Sequence, residues 1–173
     1  MNRIIKNIKK LLFSLENSSR EDRKQALRIW EDFRRAASEF TPPVDEIVEA
    51  IGWMRDHREW RFGEPLLVIA GKTQDPRVVS AICSIIELEE PEVPVENAIE
   101  YLADVRSQDS VPILIRVVGF RFKYDENLEI PIKALQALYE IGGQRALEFI
   151  RQVSTGEGGP LAGEAAELLA MKK

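Results

Sequence analysis

The chain has 173 residues, 45% of them hydrophobic and 31% charged, with a formal net charge of −5. That length suffices for one domain with a substantial core, and the composition fits a soluble folded protein and excludes a disordered or fibrous one. One cysteine and one histidine exclude an internal disulfide and leave no His/Cys ligand set.

The charge is uneven. Residues 1–35 carry ten Lys/Arg against five Asp/Glu, a net +5. Residues 87–109 carry Glu87, Glu89, Glu90, Glu92, Glu96, Glu100, Asp104 and Asp109 against Arg106 alone, a net −7. An acidic middle disfavours a nucleic-acid groove running along the molecule. No apolar run has transmembrane length.

In chain order, residues 2–16 place Ile4, Ile5, Ile8, Leu11, Leu12 and Leu15 on one helical face. The segment is basic, but no small-residue cleavage site follows, so it is not read as a signal peptide. A basic amphipathic helix suits a membrane surface. The preferred reading is a helix that covers the first of the pairs behind it. Ser18 and Ser19 offer N-caps to a second helix through Leu27, Trp30 and Phe33, which Thr41-Pro42-Pro43 ends. Val44, Ile47, Val48, Ile51 and Met54 form the face of the next helix.

His57 to Phe62 (HREWRF) reads as a junction. His57 lacks nearby metal or acid–base partners and is expected at a surface or junction. Trp53, Trp60 and Phe62 are candidate recognition aromatics, with core packing the preferred role. A helix with Pro65 in its first turn is expected over 62–73. Asp75 is the expected N-cap, and Pro76 the first residue, of a helix over 76–88 containing Cys83, whose apolar surroundings point to a structural thiol. Helices follow over 95–105 and 110–119, and then the mixed-charge loop 121–127.

Residues 128–170 read as a helix, a tight Gly142-Gly143 turn, a second helix, a loop and a third helix. Ala134 maps onto Ala165, and Leu138 onto Leu169, both 31 residues on. Positions of first helices align as Leu66, Ala98, Ala134 and Ala165, at steps of 32, 36 and 31. Second helices align as Ser84, Arg116 and Arg151, at steps of 32 and 35. Recurrence at this period in an all-helical pattern predicts stacked antiparallel helix pairs, because one pair alone cannot bury its apolar stripe.

The stretches Asp75-Pro76-Arg77, Val111-Pro112-Ile113-Leu114, KALQALYEIGGQRALEFIRQV and AGEAAELLA resemble HEAT repeats, in particular the short bacterial kind also seen in phycobilin lyases. The resemblance is clearest over 59–171. Residues 18–58 match in helix-pair size. It implies an all-α fold, a right-handed α-α superhelix (a HEAT-like solenoid) of about five antiparallel helix pairs. The whole of 1–173 is then one domain, with 2–16 as its N-terminal cap.

It also implies that second helices line an inner, partner-binding surface. The polar residues there, Arg77, Ser84, Arg116, Arg145, Arg151 and Gln152, are the candidate partner-binding residues, and Arg116 and Arg151 would form a ladder for an acidic partner. The competing reading is an ordinary solvated helix face.

The expected function is a non-enzymatic, cytoplasmic protein-binding adaptor or scaffold, of which an inhibitor or immunity-type protein is one form. The expected partner is a protein, acidic in character, and neither nucleic acid nor a cofactor is expected. The sequence contains no catalytic, cofactor or metal constellation: no Lys-Ser/Thr follows Gly156-Glu157-Gly158-Gly159, and no nucleophile elbow occurs. The alternative is a HEAT-like enzyme. A phycobilin-lyase-like protein needs a tetrapyrrole pocket. A DNA-glycosylase-like protein needs a basic aromatic groove, which the acidity disfavours.

Overall fold

In a computed structural model, the described residues are 6, 7, 31, 42–90, 92–120, 125, 128–156 and 159–171. They hold eight α-helices and no strand, so the described part of the chain is all-α. The helices predicted over 2–16 and 18–40 lie outside the described residues, save for Lys6, Asn7 and Glu31, each helical. The chain divides into two units, Met1–Ala81 and Ile82–Lys173.

In the first unit, α1 (Val44–His57) follows Pro42-Pro43, and its opening amides of Glu46 and Ile47 donate to the Pro43 carbonyl. Asp45 and Glu46 in the first turn, with Arg55 in the last, complement the helix dipole. Arg58 ends the helix in the left-handed region at φ 57°, and Glu59 N–H donates back to Met54 O at 3.0 Å. This six-to-one closure uses carbonyls that the helix end leaves open. A 3₁₀ turn (Trp60–Phe62) leads into α2 (Gly63–Ala70). α1 buries Ile47, Ala50, Ile51 and Met54 and packs on α2, which buries Leu66, Leu67, Ile69 and Ala70.

The α2 helix is shorter than the 62–73 expected. The chain tightens into the 3₁₀ turn before Gly63, and after Ala70 it turns, with Gly71 N–H on Leu67 O and Thr73 N–H on Ala70 O. The division between the units falls within α3 (Pro76–Ile86), which starts as predicted. Asp75 accepts Arg77 N–H at 2.9 Å, and Pro76 occupies the first position, where its missing N–H costs nothing. α3 ends at Ile86, two residues early, because Glu89 enters the left-handed region at φ 54°.

The second unit continues with α4 (Val95–Val105), a 3₁₀ turn (Gln108–Ser110), α5 (Val111–Val118), α6 (Glu129–Ile141), α7 (Gly143–Ser154) and α8 (Pro160–Met171). Of the 121–127 loop only Asp125 is described, and its carboxylate accepts the Glu129 and Ile130 amides at the start of α6.

α6 is the hub of the unit. It packs against α4, α5, α7 and α8, while α7 packs on α8 and touches α5. Contact with four helices requires a wide apolar surface, and α6 buries Ile130, Pro131, Ala134, Leu135, Ala137, Leu138 and Ile141. The contacts form one row of α4, α6 and α8 and a second of α5 and α7. The aligned residues Leu66, Ala98, Ala134 and Ala165 are all buried, at 1% exposure or less. Small side chains at three of them let neighbouring helices approach closely.

The two rows are joined by Gly142 (φ 68°) and Gly143 (φ 81°), where glycine avoids the Cβ clash of left-handed backbone. Gln108 crosses to this turn, and its Nε2 donates to the Ile141 and Gly142 carbonyls at 3.4 and 3.3 Å.

Candidate interaction surface

α5 and α7 have different faces. α5 is short and mostly buried, through Val111, Ile113, Leu114, Val117 and Val118, and it exposes Arg116. α7 buries Ala146 and Ile150 and exposes Gln144, Arg145, Glu148, Arg151 and Gln152. The strong division of α7 follows from apolar and polar residues at helical spacing.

The candidate residues separate by partner. Arg116 is held by two carboxylates, Glu89 Oε1 at 2.9 Å from Nη2 and Glu87 Oε1 at 3.4 Å from Nη1. The guanidinium groups of Arg145 and Arg151 make no ion pair or hydrogen bond with any described residue. The backbone carbonyl of Arg151 accepts the Ser154 and Thr155 hydroxyls, which close the end of α7. Glu148 accepts from Gln144 at 2.8 Å. Gln152 is exposed, and Ser84 is half-buried on α3.

Arg77 belongs to the first unit. It bonds Asp75 through Nε and Nη2, both at 3.0 Å, and pairs with Asp45. The hydrogen bond from Arg77 holds the Asp75 carboxyl below its usual range, and Asp75 in turn raises the Arg77 guanidinium.

The α4/α6/α8 row carries polar groups that sequence reasoning passed over. Lys133 on α6 donates to Glu100 and Glu96 of α4, each at 2.8 Å. These hydrogen bonds, Glu100 first, hold the ammonium well above its ordinary range. Gln136 donates to Glu164 of α8 at 2.9 Å. A shallow cleft of about 250 Å³ lies beside Lys133, between the 93–95 turn and Ile130. The repeat register held the signal: Lys133 aligns with Asn97 at the 36-residue step, between Glu96 and Glu100. The Glu87 and Glu89 clamp on Arg116 had no such signal, because it depends on where the turn after α3 leads.

The remaining candidates have local roles. His57 Nδ1 donates to Trp53 O at 2.8 Å, and its ring stacks on Trp53 with centroids 4.4 Å apart. The Arg58 guanidinium lies 6.0 Å from the Trp60 ring centre. Phe62 is buried, while Trp53 and Trp60 are half-buried. Burial, reinforced by Glu87, pushes the Cys83 thiol up to about 11, which opposes thiolate chemistry at neutral pH. Among the described residues, no group of three His, Cys, Asp or Glu could hold a metal ion. No described helix is long and apolar enough to cross a membrane.

No protein-family model matches the chain, and no curated protein matches it significantly. The class defined by the structure itself is an all-α protein in which, within the second unit, two rows of helices share one apolar core.

Proposed function

We propose that this protein is a non-enzymatic, cytoplasmic binding scaffold: a HEAT-like solenoid that holds an acidic protein partner on its second helices. An inhibitor or immunity-type protein is one form this takes. The observation that supports the reading is the pair Arg145 and Arg151, exposed on α7 with guanidinium groups that bond no described residue. Arginine stays charged at any working pH and presents a fork matched to carboxylates. In stacked-repeat proteins such a face is where a partner is gripped.

The test begins with affinity purification from a native lysate at moderate salt. The partner is then purified, and its binding to wild type and to Arg145→Ala/Arg151→Ala is measured at two salt concentrations. Binding through this face predicts weaker affinity and a shallower salt dependence in the double variant. Equal affinity and equal salt dependence in a folded double variant would remove α7 from the site.

A further inference from the structure

The same face contains an acidic group of its own. Glu87 and Glu89, just beyond α3, both contact Arg116, the residue one repeat before Arg151 in the register. The three side chains are 50, 53 and 51% exposed, so water reaches each of them. An ion pair this exposed is weak and open to exchange with other carboxylates. The Glu89 backbone is left-handed, as it is at the helix ends Arg58 and Arg106. Glu89 sits at φ 54°, a conformation that glycine takes without cost and a glutamate does not. Glycine there would end α3 with less strain but would have no carboxylate to give Arg116.

We propose that Glu87 and Glu89 are a built-in competitor: they occupy Arg116 as an acidic partner segment would, and a partner bearing carboxylates two residues apart displaces them. This rests on the reading of α5 and α7 as the partner surface. The occupant's chemistry follows from what already sits on Arg116, a Glu-x-Glu segment. It also follows from Arg145 and Arg151, exposed on α7, which touches α5. A nucleic-acid strand is disfavoured, because Glu87 and Glu89 beside Arg116 would repel its phosphates. Until displaced, the competitor withholds one of three arginines and lowers the affinity for an acidic segment by the modest factor that an exposed pair allows.

The experiment uses the full chain and a fluorescently labelled oligoglutamate peptide, with oligothymidylate as the nucleic-acid comparison. Binding is followed by anisotropy at low and physiological ionic strength. Glu87→Gln/Glu89→Gln keeps the side-chain shapes and removes both charges. It should tighten peptide binding about three- to tenfold, the scale of one or two exposed ion pairs. Adding Arg116→Ala should abolish that gain. Arg145→Ala/Arg151→Ala should weaken binding in either background.

If Glu87→Gln/Glu89→Gln leaves affinity unchanged while Arg145→Ala/Arg151→Ala weakens it, the competitor idea is wrong and the binding face stands. A gain that survives Arg116→Ala would reflect general charge removal and overturn the competitor. Absence of peptide binding in every folded variant would overturn both readings. Tighter binding of oligothymidylate than of peptide would overturn the partner class.

Discussion

The α4/α6/α8 row and the α5/α7 row of the second unit share one core but use charge in opposite ways. On the first row, Lys133 ties α4 to α6, and Gln136 ties α6 to α8. On the second, Arg116 is turned back onto the segment after α3, and Arg145 and Arg151 bond no described residue. Polar groups that link neighbouring helices contribute to register and stability. Polar groups that link nothing cost little to retain, and they stay available to something else. The difference separates a structural face from a candidate binding face without reference to any ligand.

The largest expected effect removes the core both rows depend on. Leu138 is fully buried on the hub helix α6. Leu138→Ala should cost about 2–5 kcal/mol, the transfer term plus an unfilled cavity. Chemical denaturation measures it, and a loss below about 0.5 kcal/mol, typical of surface sites, would place Leu138 outside the core. The next effect falls on the turn between the rows. A Cβ on Gly143 would lie 2.6 Å from Gln108 Oε1, at a backbone φ of 81°. The Gln108 side chain can swing away, losing its bonds to the turn, but the backbone strain stays. Gly143→Ala should therefore cost about 1–2 kcal/mol. Gly142, at φ 68° and ψ −150°, lies where essentially only glycine goes, so Gly142→Ala should cost about 1–3 kcal/mol even though its Cβ would meet only Tyr139 O, at 4.0 Å. A Gly143→Ala loss that is unchanged in a Gln108→Ala background would show that the Gln108 contact contributes nothing.

How far these features could be read from the chain depends on how local their causes are. The helix starts at Asp75-Pro76, the Gly142-Gly143 turn and the buried Ala98, Ala134 and Ala165 follow from short-range rules: a capping side chain, a missing N–H, a missing Cβ and a 3.6-residue stripe. Helix ends were less legible. α2 stops at Ala70 and α3 at Ile86 because the following backbone turns, and no residue type there demands it. Leu138 and Leu169 align at a 31-residue step in the sequence, yet the first is fully buried and the second half-buried. Equivalence in sequence does not carry equal packing to the next helix. The candidate surface was legible as polar positions but not as chemistry. Nothing in the sequence alignment of the two helices distinguishes Arg116 from Arg151, and the path of residues 87–89 sets them apart.

A smaller effect tests the linking role of the first row. Lys133 is one-third exposed, so its two ion pairs are screened, and Lys133→Met should cost about 0.2–1 kcal/mol. Its raised folded value fixes the sign of the pH dependence. The contribution is fully present below the ordinary lysine value of about 10.4, and it is lost as pH rises through the higher folded value. A double-mutant cycle of Lys133 with Glu100 isolates the pair, and a coupling indistinguishable from zero would make the first row as idle as the second.

The smallest effect is expected where the comparison is most specific. Arg145 and Arg151 bond no described residue through their guanidinium groups, and both lie on the exposed side of α7. Alanine has the higher helix propensity, so its small gain opposes whatever the long side-chain stems contribute by covering apolar surface. Arg145→Ala/Arg151→Ala should therefore change stability by no more than about 0.5 kcal/mol, the range of surface substitutions free of special contacts. Denaturant midpoints at low and high salt measure this. Arg151 lies in the last turn of α7, where a cation favours the helix dipole, so any small loss should be confined to low salt. A loss above about 1 kcal/mol that persists in high salt would show that the arginines are structural after all. The two rows would then no longer differ in how they use their charges. A near-zero change leaves both arginines without an internal task, which is the condition under which a loss of partner affinity in the same variant can be assigned to direct contact.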